Sequence, residues 1–277
     1  AAKRLGGWRV IAKAMGLGIE RGIVSVLRFM PPAGARAETR LSGHPLYNHR
    51  EFLKKRAGTL PDKHGGSSRN ENRENGAQSF GLSGEEVRML RALKTPARIQ
   101  RFVDSLTYQY ANTAWSPRRA LRERKGHCLE GALLAAAALR VNGRPPLLMD
   151  LEAVHDDDHV IALYKEGALW GGIAKSNFAG LRFRAAIYRT LRELALSYFE
   201  HYYNLRGERT LRAYSRPVNL TRVDSCRWMT SEDDVWCVAE VLIAAKHYPL
   251  FPHRVARLLP RLDRRSFEAG MHGWKKH

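Results

Sequence analysis

Cysteine is scarce: only Cys128, Cys226 and Cys237 occur in 277 residues. Three is too few and too odd a number for a disulfide framework. The expectation is therefore plain core thiols for Cys226 and Cys237 and a reducing, cytoplasmic compartment. No window holds 18 uncharged apolar residues, so no transmembrane helix is expected. The stretch "WRVIAKAMGLGIERGIVSVLRFM" is interrupted by Lys13, Glu20 and Arg21 and makes a poor signal-peptide core. No internal repeat is visible, which excludes a solenoid. Acidic residues are outnumbered, 27 Asp+Glu against 47 Lys+Arg, for a net charge of +20. Such a charge attracts nucleic acid and anionic membrane non-specifically. No helix-turn-helix, zinc-finger or aromatic RNA-binding signature accompanies it, so no specific nucleic-acid partner is expected. "HDDDH" (155–159) crowds two His and three Asp into contiguous positions. Few of them can reach one ion together, and neither a metal nor a cofactor is expected.

What is present divides near residue 80. Residues 1–79 carry 15 Lys+Arg against 6 Asp+Glu and read as a basic leader, with a basic amphipathic helix at 8–30 as one reading of it. Residues 57–79, polar and rich in Gly and Asn, read as disordered linker. From 80 to 277 the pattern is that of one α+β domain. Ser83 and Glu86 form a capping box ahead of Val87, Leu90 and Leu93. Thr95-Pro96 and Ser116-Pro117 each open a further helix with proline at its first position. A fourth helix runs from Cys128 to Asn142-Gly143 and is closed by Pro145-Pro146. Strands follow at 147–154, 159–164 and 169–174, the last two as a hairpin. Helix is expected again after "KSNFAGLRFR" (175–184), with Ile187, Leu191, Leu194, Tyr198 and Tyr202 on one stripe, at about 232–246 capped by Thr230 or Ser231, and as a last short helix at 260–271.

Cys128 is either a small core residue or a nucleophile. A thiol attacks as thiolate, and a helix N-terminus or a neighbouring imidazolium lowers its pKa. Cys128 has the first device; Gly131, Ala132, Ala135, Ala136 and Ala138 let its helix lie close to other elements. For the second device His159 is the better candidate, because it starts a strand. His155 lies in a turn, and His127 is adjacent in sequence. If the hairpin turns near 166–167, position 159 faces about 174. An orienting group just beyond would be Ser176 or Asn177, with Asp157 and Asp158 as the other options. Asn can accept the imidazole N–H without adding charge. The run "SPRRALRERK" puts five basic residues before Cys128, as a solvated face or as a reader of acidic substrate.

The order of "HCLEGA" on a helix, "DDDHVIALY" on a strand and "LWGGIAKSNFAGLRFR" on the next resembles the transglutaminase-like superfamily, closest to bacterial transglutaminase-like domains of unassigned substrate. "SPRRALRERKGHCLEGA" and "YRTLRELALSYF" are the most specific pieces, and the likeness covers about 95–220. The resemblance implies a transglutaminase-like, papain-like core in which a Cys-bearing helix packs on a small antiparallel sheet with flanking helices. It further implies acyl transfer at an amide of a protein or peptide substrate, with Cys128 as nucleophile, His159 as general base and Asn177 as orienter. Asn177 stands where the family usually has Asp. Hydrolysis is expected over cross-linking; an inactive binding module on the same fold is the rival expectation, and a basic nucleic-acid-associated protein, resting on the +20 charge alone, is the third. The Cys128 N–H is one natural oxyanion donor; Gln109 and Trp115 are candidates for the second.

Overall fold

The computed structural model describes residues 79–274. The expected helix at 8–30 and all but the last residue of the expected linker lie outside the described residues. Among the described residues nine strands follow one another: β1 (Thr107–Tyr108), β2 (Lys125–Gly126), β3 (Leu147–Ala153), β4 (His159–Glu166), β5 (Leu169–Ile173), β6 (Arg184–Tyr188), β7 (Leu211–Ser215), β8 (Val218–Asn219) and β9 (His247–Pro249). The α-helices among the described residues are α1 (Gly84–Ala92), α2 (Pro96–Ser105), α3 (Pro117–Glu123), α4 (Cys128–Val141), α5 (Leu191–Leu196), α6 (Trp236–Ala244), α7 (His253–Ala256) and α8 (Arg264–Gly270). Strands β3 to β9 build an antiparallel sheet in the order β6-β5-β4-β3-β7-β9, with β8 also paired to β3. The α+β class holds, and the Cys128 helix does pack on an antiparallel sheet.

The first three helices start where their side chains can satisfy free amide donors. Ser83 Oγ accepts from Glu86 N–H while the Glu86 carboxylate accepts from Ser83 N–H. Thr95 and Ser116 cap α2 and α3, each ahead of a proline that lacks a donor anyway. Helix α4 stops at Asn142, and Gly143 takes φ +78° just after it, a left-handed conformation that glycine adopts without steric cost.

Alternation along β3 and β4 divides the core in two. Leu148, Val160, Ala162 and Tyr164 point to the face covered by α4, together with α1, α2, α3 and α6. Met149, Leu151, Ile161 and Leu163 point to the opposite face, under Leu194, Tyr198 and Tyr202. Helix α4 is buried from Leu129 to Leu139, so it is the central helix of its layer. Its small residues permit close approach: a Cβ added at Gly131 would collide with Lys175 Cβ. The ammonium of Lys175 donates to the carbonyls of Asp104 and Leu106 at the end of α2.

Several expectations are corrected. Residues 184–188 form strand β6 rather than helix, because β5 offers them an unpaired edge; Ile187 is 66% exposed there instead of lying on a buried stripe. Helix α6 is shorter than 232–246, and neither Thr230 nor Ser231 caps it; the preceding Val235 N–H is spent on Ala114 O at 2.7 Å. The short helix expected at 260–271 is present as α8, and an additional one-turn helix, α7, precedes it across Pro260. Strands β7, β8 and β9 were not anticipated. Cys226 and Cys237 are not free thiols: they form a disulfide with Cα atoms 6.8 Å apart, because the turn at 220–226 folds back on the start of α6. Among the described residues no helix is long and apolar enough to cross a membrane.

Candidate active site around Cys128

Cys128 is the first residue of α4, and its preceding residue does the capping. His127 Nδ1 accepts from Leu129 N–H, and its Nε2–H donates to Thr113 O at 2.9 Å. Glu130, wholly buried, accepts from His127 N–H, Trp115 N–H and the Thr113 hydroxyl. This acid, in the first turn, sits where a helix dipole favours negative charge. It ties residues 113–115 to the α4 N-terminus. His127 is thereby consumed as a structural ligand and is not a base for its neighbour.

The thiol faces the start of β4. Its Sγ lies 3.9 Å from Asp158 O, with the Val160 and Leu129 amides close by. Burial pushes the Cys128 pKa up to about 12; those amides favour the thiolate, but the charges of Asp157 and Asp150 oppose it. The helix N-terminus therefore does not win here, and the group is a neutral thiol at physiological pH. Asp157 has its own pKa raised to about 6 by burial and by Asp156.

The three sequence-derived residues are not brought together. His159 pairs in register with Leu151, a member of the far-side core. Residues directly opposite in an antiparallel pair share a face, so the imidazole projects away from α4. Its ring contacts Tyr198 and Tyr202 edge-on, at 6.4 and 6.3 Å between centroids. Nε2 must carry the hydrogen, because its partner at 2.8 Å is the Leu181 carbonyl, which only accepts. Burial, helped by the Arg184 charge, lowers the His159 pKa to about 4, against the pull of that carbonyl. Asn177 donates to the Tyr110 hydroxyl at 3.2 Å and touches neither Cys128 nor His159 through any described hydrogen bond. Ser176 Oγ accepts from Phe178 N–H. The hairpin register, Ala162 opposite Ile173, would set 176 rather than 174 against 159, but β5 ends at Ile173. The Cys128–His159–Asn177 triad is thus a correction on geometry: parity on β4 puts base and nucleophile on opposite faces.

The histidine that does share the α4 face is His247. Its Nε2 lies 3.0 Å from Asp150 Oδ2 and its Nδ1 2.8 Å from Ala245 O. Both ring nitrogens face acceptors, which requires the imidazolium, and the Asp150 carboxylate raises the His247 pKa. Asp150 N–H in turn donates to Ser215 Oγ. The imidazole is thus committed at both ends, to Ala245 O and to the Asp150 carboxylate. Sequence reasoning passed over Asp150, Glu130 and His247. The signal was an acid interrupting the apolar runs "LLMDLEAV" and "CLEGALL". Of the five basic residues before Cys128, Arg118 pairs with Glu86 at 2.9 Å, Arg119 with Asp234 at 3.3 Å and Arg122 with Glu232 at 2.8 Å. These three pairs tie α3 to α1 and to the 232–234 segment. Of the candidate oxyanion donors, Gln109 Oε1 accepts from Ala111 N–H, while the Trp115 indole N–H is buried with no acceptor.

Among the described residues no group of three or more His, Cys, Asp or Glu is arranged to hold a metal ion. No protein-family model matches the chain, and neither does any curated protein sequence.

Proposed function

We propose that the α+β unit is a binding module on a transglutaminase-like scaffold, recognising a protein or peptide partner without turning it over. The observation that carries this reading is the parity of β4, which turns His159 away from a neutral Cys128 thiol. A transglutaminase-like acyl transferase acting through Cys128 is the second reading. It is favoured by the placement of Cys128 at the head of α4 and by the unpartnered Trp115 N–H, a donor held on the segment that Glu130 ties to the same helix turn. A cytoplasmic home, expected from the cysteine count, is part of this proposal only if the Cys226–Cys237 bond is reduced or transient there.

Alkylation of Cys128 across pH, followed by mass spectrometry in the parent and in His159→Ala, separates the two. For a binding module, Cys128 stays inert up to pH 9 and His159→Ala does not change its rate. Fast reaction of Cys128 at pH 6 that His159→Ala abolishes would sink the binding-module reading and reinstate the enzyme.

A further inference from the structure

A pocket of about 230 Å³, which Cys128 does not line, lies between the start of β7, the turn at 154–155 and the segment 256–261. Three arginines line it, Arg209, Arg212 and Arg261, with Glu208 as the single acidic residue among them. Two of these cations are already engaged. Arg209 pairs with Glu200 at 2.9 Å and donates to Pro260 O at 2.7 Å. Arg261 pairs with Glu208 at 3.3 Å. Arg212 differs. Its Nη1 donates to the carbonyls of Arg209 and Leu211 at 2.9 Å each, and its plane lies 5.8 Å from the Phe251 ring. No carboxylate among the described residues pairs with it, and its Nε and Nη2 hydrogens have no described protein acceptor. The cost of this burial is visible in an Arg212 pKa held below the usual arginine range. Thr210 does not add a free donor, since its hydroxyl is spent on Asp156.

A half-buried guanidinium with one edge open and no counter-ion is matched by a ligand that offers two oxygens and a negative charge. We propose that this pocket binds an oxyanion group, phosphate or carboxylate, carried by a small molecule, with Arg212 as its principal contact and Arg261 at the rim. The site is independent of Cys128, so it stands whether the unit binds or transforms its other partner.

The test is calorimetric titration of the full chain with inorganic phosphate and, separately, with succinate, at constant ionic strength. The expected result is one saturable site for at least one of these anions. Arg212→Gln weakens it about tenfold or more, the value of a charge-assisted pair. Arg212→Lys retains the charge but loses the fork, and gives an intermediate loss. Arg216→Gln, at an exposed position outside the pocket, leaves affinity unchanged. Saturation by phosphate alone or by succinate alone identifies the oxyanion. The proposal is overturned if neither anion saturates, if Arg212→Gln binds as the parent does, or if Arg216→Gln costs as much as Arg212→Gln. Should Arg212→Gln fail to fold, Arg212→Lys and Arg261→Gln decide instead; parental affinity in both overturns the site.

Discussion

The two faces of the main sheet are built from the same strands and solve different problems. The α4 face is close-packed on small residues, with Ala132 and Ala135 to Ala138 at zero exposure and Gly131 pressed on Lys175. Two of its polar groups, Asp150 and His247, form an ion pair. The opposite face gathers tyrosines around a neutral imidazole: Tyr198 and Tyr202 lie edge-on to His159, and their hydroxyls donate to the Arg182 and Asp157 carbonyls. A histidine on one face is an imidazolium, and a histidine on the other is held neutral. The difference shows that a residue's role here follows from which side of a strand it occupies, not from its distance in sequence to Cys128.

The largest expected effect breaks the aromatic face by acid. His159 titrates near 4 in the fold and near 6.5 when unfolded, so the unfolded chain binds the proton first. Stability from this group is full above pH 6.5 and declines as pH falls towards 4, by about 3 kcal/mol. Urea unfolding at pH 7 and pH 4 should show that loss in the parent and a flatter response in His159→Gln. An equal response in both would contradict the buried neutral ring. Next in size is Gly131→Ala on the α4 face. Alanine is the better helix former, by about 1 kcal/mol, but its methyl meets Lys175 backbone-proximal carbon. The expected net change is a loss of about 1–3 kcal/mol, read as a lowered denaturation midpoint; a gain would show that α4 has room to move. The smallest is His247→Gln. The raised His247 pKa means its stabilisation is complete below about 6.5 and disappears as pH rises through the folded value. The variant should therefore lose about 1 kcal/mol at pH 6 and nothing by strongly alkaline pH, opposite in sign to His159. A deficit that grows with pH would refute the paired imidazolium.

Helices α1 to α4 and the β4–β5 hairpin were legible because their signals are local: caps, prolines after caps, and alternation between turn residues. The faces of β4 were not. "HVIALY" is buried on both sides, so hydrophobic alternation carries no information about which parity meets α4. That ambiguity misassigned His159. Strands β6, β7 and β9 escaped because each is short and gains its place by pairing with a distant edge; "RAAIY" suits helix or strand until β5 lies beside it. The Cys226–Cys237 bond escaped for the same reason, since proximity across a turn is a tertiary fact.

That bond encloses Trp228 and Met229, both buried in the α4-side core. It makes the chain a recorder of where it matured. Protein quenched in acid and weighed intact is lighter by one pair of hydrogen atoms if it folded in an oxidising space, and full weight if it never left a reducing one.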